Sequence, residues 1–107
     1  MKPLDRYKRD NIIVEIIRNH TGLENAITGE ELSKILSNKG FEIEKTTLRN
    51  HIERIRRERC LPIWYKKNCG YFCIGKSEEA KEAISMLRGT VSTLQDTIKL
   101  LQRFIVE

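Results

Sequence analysis

The sequence predicts a mostly α-helical α+β fold, in which three helices and a two-stranded hairpin precede one long C-terminal helix. Apolar residues recur at helical spacing in three separate segments before residue 60. Two short runs of β-forming residues follow Pro62, and an apolar seven-residue repeat then continues to the end of the chain. We therefore expect two units, a compact domain over residues 1–75 and a helix over residues 76–107.

The first helix is predicted over Leu4 to His20. Four isoleucines form a broad apolar stripe on one face of it, at positions i, i+1, i+4 and i+5: Ile12, Ile13, Ile16 and Ile17. Thr21 and Gly22 end the pattern because both residues form helix poorly. Residues 23–27 are expected to form a connection.

The second helix carries a clear start signal. Thr28 followed by Glu31 is a capping box, in which side chains satisfy backbone amides at the start of a helix. The Asn-Lys-Gly sequence of residues 38–40 stops the apolar run. The predicted bounds are Gly29 to Lys39, and the apolar face consists of Leu32, Ile35 and Leu36.

The third helix is predicted over Thr46 to Arg59 and has two unlike faces. At about 100° per residue, Leu48, Ile52 and Ile55 fall within one arc, which we expect to be buried. The opposite arc is polar and basic, and it consists of Thr46, Asn50, Glu53 and Arg57, flanked by Arg49 and Arg54.

A hairpin follows the third helix directly. Pro62 ends any helix there, because it has no backbone N–H to donate. The alternating residues 63–65 and 70–74 predict two strands around a turn. The predicted hairpin spans Ile63 to Ile74, and its tip carries Lys66, Lys67 and Asn68.

The positive charge of the chain lies in this same region. Residues 45–67 contain eight Lys or Arg residues and only Glu53 and Glu58 against them, a sum of +6, whereas the whole chain carries +5. A basic helix followed by a basic hairpin is the electrostatic pattern expected of a protein that binds a phosphate backbone. The charge predicts affinity for DNA, and any sequence preference must come from particular side chains.

The segment Thr28 to Ile74 resembles the winged helix-turn-helix of the biotin-repressor type. Three blocks carry this resemblance: residues 29–33 (Gly-Glu-Glu-Leu-Ser), residues 46–52 (Thr-Thr-Leu-Arg-Asn-His-Ile), and Leu61-Pro62-Ile63 with Gly70-Tyr71. The resemblance implies that the middle block begins the recognition helix, 46–59, and that the last block brackets the wing, 63–74. The expected fold is α+β and mostly α: a winged helix-turn-helix of three helices and a two-stranded wing, followed by a long C-terminal coiled-coil helix that the repeat described below predicts.

Two features depart from that family. Its larger members carry a catalytic or ligand-binding domain after the wing, whereas only the repeat helix follows here, so biotin ligation and small-molecule sensing are not implied. The turn before the third helix, residues 40–45, is also acidic, and it is longer than the tightest turn found at this place in the family. The layout of one such domain with a coiled C-terminal helix is similar to that of small phage and prophage DNA-binding proteins.

The last segment, residues 77–107, is a heptad repeat. Position a is β-branched throughout, with Ile84, Val91, Ile98 and Ile105, and position d is Leu, with Leu87, Leu94 and Leu101. This combination favours a parallel two-stranded coil, and hence a homodimer. The flanking positions carry almost no complementary charge, so they do not fix the orientation of the partner. In the alternative arrangement, the helix folds back on the Ile12 to Ile17 stripe of its own chain.

The candidate DNA-binding residues are all polar or cationic: Lys45, Thr46, Thr47, Arg49, Asn50, Glu53, Arg54, Arg56, Arg57, Lys66, Lys67 and Asn68. In the major groove, Asn would pair with adenine, Arg with guanine and Glu with cytosine, and Thr would contact a thymine methyl group or a phosphate. The later arginines and the hairpin lysines would hold phosphates. The aromatic residues of the hairpin are Trp64, Tyr65, Tyr71 and Phe72. We expect them mainly to pack the hairpin against the helices and not to stack on bases.

Several functional classes lack support in the sequence. There is no nucleophile motif or Gly-rich phosphate loop, and Glu30 and Glu31 are expected to act as helix-capping residues, so no enzyme and no cofactor are predicted. His20 is expected to complement the C-terminal dipole of the first helix, and His51 to pack or to contact a phosphate. The three cysteines, Cys60, Cys69 and Cys73, have neither disulfide nor zinc spacing. The absence of a long apolar run predicts an intracellular, cytoplasmic protein.

Two functions remain in competition. The first is a dimeric, sequence-specific double-stranded DNA-binding protein, most simply a transcriptional regulator. The second is a phage-type adaptor or inhibitor that binds a protein partner in replication, packaging or inhibition of a host nuclease.

Overall fold

A computed structural model describes residues 3–105 of the 107-residue chain. The described part is mostly helical and contains one two-stranded antiparallel sheet and a long C-terminal helix, which confirms the coarse prediction of an α+β fold. The elements are α1 (Pro3–Arg18), α2 (Gly29–Asn38), α3 (Lys45–Arg59), β1 (Ile63–Lys66), β2 (Gly70–Cys73) and α4 (Ser77–Gln102). The chain divides into two compact units, the first ending at Gly75 and the second beginning at Lys76.

Helix α1 ends two residues earlier than predicted, at Arg18. The Thr21 hydroxyl donates to the Arg18 carbonyl at 2.9 Å and so satisfies one of the free carbonyls at the helix end. The connection to α2 is more ordered than its sequence indicated. It contains a short 3-10 helix, Leu23–Asn25, and ends in a backbone bridge between Ile27 and Tyr71.

Helix α2 begins where the capping box predicts, at Gly29 with Thr28 as N-cap. The amide of Glu31 donates to the Thr28 hydroxyl at 3.1 Å, and the hydroxyl in turn donates to the Glu31 carboxylate at 3.0 Å. The helix ends at Asn38, one residue before the predicted bound, and Lys39 is its C-cap.

Helix α3 begins one residue earlier than predicted, at Lys45, with Glu44 as N-cap, and ends at Arg59 as expected. Cys60 takes the left-handed conformation that commonly closes helices, with a φ of 52°, and its amide bonds back to the Arg56 carbonyl. The predicted apolar arc is confirmed, since Leu48, Ile52 and Ile55 are all buried.

One apolar cluster holds the first unit together. It takes side chains from α1, α2, α3 and the hairpin, and burial of this much apolar surface is the main stabilising contribution to such a unit. Its completely buried members are Ile13, Ile17, Leu32, Leu36, Leu48 and Ile55. The Ile12 to Ile17 stripe of α1 therefore contributes to this core.

The hairpin pairs Ile63 with Cys73 and Lys66 with Gly70, so Lys66 is the last residue of β1 and not part of the tip. The loop consists of residues 67–69. Its amide at Cys69 donates to the Lys66 carbonyl at 3.0 Å, and Asn68 adopts a left-handed φ of 69°, which asparagine tolerates better than most residues.

Gly70 allows the hairpin to approach the α1–α2 connection closely. Ile27 and Tyr71 exchange two backbone hydrogen bonds, each of 2.8 Å, beside this glycine. A Cβ atom on Gly70 would lie 2.1 Å from the Ile27 carbonyl oxygen, and its φ of 118° is one that residues with side chains rarely adopt. Glycine is therefore required where β2 meets the connection.

Helix α4 is shorter than the repeat indicated. It contains 26 residues and ends at Gln102, so it is about 39 Å long at 1.5 Å per residue. Ile105, the last predicted a position, lies beyond its end, and residues 106 and 107 of the predicted helix fall outside the described part. Arg103 is the C-cap of α4, and its amide donates back to the carbonyls of Leu100 and Leu101. Among residues 3–105, no helix has the length and apolar content to cross a membrane.

Candidate nucleic-acid interface

The polar face of α3 is exposed over its whole length. Thr46, Asn50, Glu53 and Arg57 are all exposed, and their spacing of four, three and four residues places them in one row along the helix. Thr47 is also exposed in the first turn. The apolar face opposite this row is packed in the core, so the row is held in a fixed direction away from it.

The N-terminal end of α3 borders a cleft with a volume of about 400 Å³. Its walls come from the start of α2, the start of α3 and the hairpin loop, and they include Thr28, Gly29, Glu30, Lys45, Arg49, Tyr65, Asn68, Cys69, Gly70 and Tyr71. The Lys45 ammonium is hydrogen-bonded to the Glu30 carboxylate, and this contact lowers the pKa of Glu30. Three predicted site residues, Lys45, Arg49 and Asn68, therefore meet at one cleft.

Arg54 does not belong to the exposed face. Its guanidinium contacts the Asp10 carboxylate of α1 at 3.0 Å and the Glu58 carboxylate at 3.0 Å, and only 18% of its side chain is exposed. The geometry commits Arg54 to an internal ion pair, so its position does not support the predicted contact with guanine or a phosphate. Asp10 lies 44 residues away in sequence, which is why the pattern within α3 did not indicate this pair.

His51 lies beside the same pair. Its Nδ1 atom is 3.4 Å from the Arg9 guanidinium and 3.5 Å from that of Arg54. Burial, and then the positive charges of Arg9 and Arg54, lower the pKa of His51, while the Asp10 carboxylate acts in the opposite direction. The histidine is thus part of the contact between α1 and α3.

Arg56 and Arg59 also contact other parts of the unit. The Arg56 guanidinium lies over the Trp64 ring at 5.5 Å, and that of Arg59 lies over the Tyr7 ring at 5.7 Å. Arg59 further donates to the Asn11 amide oxygen at 2.8 Å. These contacts hold both guanidinium groups along the sides of α3.

Three of the remaining cations of residues 45–67 are exposed. Arg49, Arg57 and Lys67 form no ion pair with any other residue in the range 3–105. Asn68 is exposed beside Lys67, whereas Lys66 is half-buried at the end of β1. The positive surface is therefore narrower than the net charge of residues 45–67 indicated.

The hairpin aromatics mainly pack. Tyr71 and Phe72 are buried, Trp64 is half-buried, and burial raises the pKa of the Tyr71 hydroxyl. Tyr65 is the exposed member of the four, and its ring lies 4.9 Å from that of Tyr71 with a tilt of 51°. These side chains fix the hairpin against the helices, as expected.

Arg9 and Asp10, which are both only 5% exposed, were not predicted to support the site. A signal for Asp10 was present, because Asp10, Ile13 and Ile17 follow the i, i+3, i+7 spacing of a single helical face. A charged residue in line with two core residues indicates a buried partner, and the partner here is Arg54.

No group of three or more potential metal ligands occurs among the residues that the structure describes. Cys60, Cys69 and Cys73 are all free thiols.

The heptad residues of α4 form the second candidate interface. From Ile84 to Leu101, each a and d side chain is between 46% and 59% exposed. A single helix cannot bury such a stripe by itself, so these residues are available to a partner helix.

Comparison with protein-family models, with curated proteins and with solved structures finds no match to this chain.

Proposed function

We propose that this protein binds double-stranded DNA through a winged helix-turn-helix in its N-terminal unit and acts as a transcriptional regulator whose N-terminal units work in pairs. In this proposal α3 is the recognition helix and the hairpin β1–β2 is the wing. The observation that carries the proposal is the exposed row Thr46, Asn50, Glu53 and Arg57 on a helix whose opposite face is buried.

The chemistry of this row suits base edges in the major groove. A helix fits that groove, and Asn50 has the amide that pairs bidentately with adenine. Arg57 or Arg49 would pair with guanine or with a phosphate, and the Glu53 carboxylate would accept from the amino group of cytosine. Thr46 at the start of the row would contact a thymine methyl group, since N-terminal residues of a recognition helix lie nearest the bases.

The hairpin loop and the adjoining cleft would contact the DNA backbone. Lys67 and Asn68 are exposed at the loop, and Arg49 lines the cleft between this loop and α3. Cations on both sides of the row would neutralise phosphates and fix its register, while the row itself would carry sequence preference.

The proposed set is smaller than the one predicted from sequence. Arg54 and Arg56 contact Asp10 and Trp64, so we assign them to positioning α3. Lys66 is left out because it is half-buried at the end of β1. Arg59, which was not in the predicted set, contacts Asn11 and also positions α3. The DNA-contacting set then consists of Lys45, Thr46, Thr47, Arg49, Asn50, Glu53, Arg57, Lys67 and Asn68.

Self-association through α4 would bring a second N-terminal unit, with its own recognition helix, to the same DNA. The heptad stripe is exposed, and its β-branched a and Leu d positions favour pairing with an identical helix. Two recognition helices related by a two-fold axis would read the two halves of an inverted repeat.

Selection of bound fragments from random duplex DNA by the full chain tests this proposal. We expect an enriched inverted repeat whose half-sites disappear when Asn50 is replaced by Ala. Arg18→Ala is the matched control, because Arg18 is an exposed cation at the end of α1. No enrichment of any sequence, at low salt and with folded protein, would reject the proposal.

A protein-binding adaptor is the second candidate, and a specific observation favours it. Three of the eight cations in residues 45–67, Arg54, Arg56 and Arg59, contact other residues of the same unit. Lys45 is paired with Glu30, and the negative charge of Glu53 lies in the middle of the exposed row. Fewer positive charges are therefore left for phosphates. An adaptor would bind DNA weakly and without sequence preference, and would bind one protein partner tightly.

A further inference from the structure

Helix α4 carries a second uncharged stripe beside the heptad stripe. Met86, Thr90, Thr93, Thr97 and Leu100 follow steps of four, three, four and three residues, which are positions c and g of the same heptad. The centre of this second stripe lies about 100° around the helix from the centre of the a/d stripe.

The threonine hydroxyls of the second stripe are hydrogen-bonded within the helix. Thr90 donates its hydroxyl proton to the Met86 carbonyl at 3.2 Å, and Thr97 donates to the Thr93 carbonyl at 3.0 Å. Thr93 donates likewise to the Gly89 carbonyl at 3.1 Å. Because these hydroxyls are satisfied within the helix, the stripe can be buried without leaving a donor unpaired.

The charged residues of α4 avoid both stripes after the first turns. Met86 is 54% exposed and Leu100 is 53% exposed, whereas Arg88, Asp96 and Lys99 all lie on the remaining positions b, e and f. Residues 76–107 contain five cationic and five acidic residues, so copies of this segment do not repel each other by net charge. A partner must follow the same seven-residue period on both stripes, and an identical helix does.

Symmetry determines how both stripes can be covered by copies of the chain. In a parallel pair, the two-fold axis along the helices places the two second stripes on opposite sides of the pair. In an antiparallel pair, the perpendicular two-fold axis leaves both second stripes on one side. Only the antiparallel pair therefore offers one continuous face, and two such faces cover each other in a bundle of four. This arrangement departs from the parallel pair that β-branched a and Leu d positions favour, and what it gains is burial of the second stripe.

We propose that α4 assembles four copies of this chain into an antiparallel four-helix bundle, with the a/d stripe facing one neighbour and the second stripe facing the other. An angle of about 100° between the stripes fits a square arrangement, in which the two neighbours of a helix lie at a right angle. Diagonal helices are parallel in such a bundle, so each end has two N-terminal units related by a two-fold axis. The assembly depends only on contacts of α4. Its capacity to bind two duplexes, one at each end, rests on the proposed function.

Sedimentation of the full chain measures the assembly directly. Four copies of the 12.6 kDa chain have a mass of about 50 kDa, which is the expected result. A stable dimer or a monomer at high protein concentration would overturn the bundle. A dimer would leave the DNA-binding proposal standing, since that proposal is judged by the selection experiment.

Variants of the second stripe test its role. Met86→Lys with Thr93→Glu and Leu100→Lys should reduce the mass by half or more while the N-terminal unit stays folded, as judged by Trp64 fluorescence. The matched control, Ser85→Lys with Ser92→Glu, changes b positions and should leave the tetramer intact. An unchanged mass in the stripe variant would contradict the assignment.

Energy transfer between mixed chains tests the orientation. One chain carries a donor at Ser77→Cys and the other an acceptor at Gln102→Cys, in a background in which the three native cysteines are replaced by serine and the tetramer mass is retained. Antiparallel neighbours bring the two dyes together and give strong transfer. Parallel neighbours hold them about 39 Å apart along the helix. With a dye pair whose half-transfer distance is well below this separation, transfer is then weak, and that result would refute the antiparallel arrangement.

Discussion

The Arg54 guanidinium of α3 donates hydrogen bonds to both carboxylate oxygens of Asp10 on α1, at 3.2 and 3.0 Å. The Asp10 side chain is only 7% exposed, so this is a nearly buried ion pair between two helices. It lies on the side of α3 between the core and the exposed row. The pair therefore fixes the rotation of α3 about its axis, and with it the direction of Asn50 and Arg57.

Replacing Asp10 by Ala should lower the free energy of unfolding of the N-terminal unit by about 2–4 kcal/mol. Removal of one partner from a buried pair leaves the other charge without compensation, which typically costs about 3–5 kcal/mol, and the partial exposure of Arg54 reduces this cost. Urea unfolding followed by Trp64 fluorescence measures the change. Arg57→Ala, an exposed change on the same helix, should stay within about 0.5 kcal/mol of the parent. Equal decreases in the two variants would contradict the structural role of the pair.

The stability of the first unit should fall as the pH drops below the ordinary pKa of histidine. The pKa of His51 is lowered from 6.5 in the folded chain, by burial first and then by Arg9 and Arg54. Below about pH 6.5 the unfolded chain therefore binds more protons at this residue than the folded chain, and acid favours unfolding. The stabilising contribution is complete above pH 6.5 and disappears as the pH falls through the lowered pKa.

His51→Gln should remove this part of the pH dependence. The free energy of unfolding of the variant should decline less than that of the parent between about pH 7 and about pH 5, because the glutamine does not titrate. If the free energy of unfolding changed with pH by the same amount in both proteins, His51 would bind its proton equally well in the folded and the unfolded chain, which would contradict the prediction.

Gly70→Ala and Gly89→Ala should have opposite effects. At Gly70 the added methyl group would lie 2.1 Å from the Ile27 carbonyl oxygen at a positive φ, and we expect the free energy of unfolding to fall by about 1–3 kcal/mol. Gly89 lies within α4 with no neighbour within 4 Å of an added Cβ, so alanine should stabilise the helix by about 0.5–1 kcal/mol. Thermal unfolding measures both, and a neutral Gly70→Ala would argue against the close approach of hairpin and connection.

Glu53→Gln separates the two candidate functions. A carboxylate in the middle of a DNA-reading row repels phosphates and accepts from cytosine. Its replacement should raise affinity for random duplex DNA and reduce discrimination at one position of the selected site by about 1–3 kcal/mol. Competition binding with duplexes substituted at single positions measures this. Discrimination that is unchanged at every position would favour the adaptor.

Local signals in the sequence predicted much of the fold. The Thr28–Glu31 capping box placed the start of α2 correctly, and apolar periodicity identified the buried face of α3. The bridge between Ile27 and Tyr71 carries no such signal, because its hydrogen bonds are between backbone atoms of residues far apart in sequence. The end of α4 was placed too late, since the heptad continues through Ile105 although the helix ends at Gln102.

The candidate site was predicted less completely for a related reason. A helical projection shows which residues of α3 face away from Leu48 and Ile52, and the row from Thr46 to Arg57 was found in this way. Such a projection does not show which side chains of another helix contact the sides of α3. Arg54 was therefore grouped with exposed cations, although Asp10 binds it from α1.

Salt-dependent titration of duplex DNA by fluorescence anisotropy tests the central claim, that the exposed side of α3 binds DNA. We expect affinity to fall steeply with salt. Combining Arg49→Ala with Arg57→Ala should reduce the slope of log K against log salt by about 0.9 for each phosphate that the variant no longer neutralises. The control Arg18→Ala should leave the slope unchanged. Absence of binding at low salt, or equal slopes for the double variant and the control, would contradict this claim.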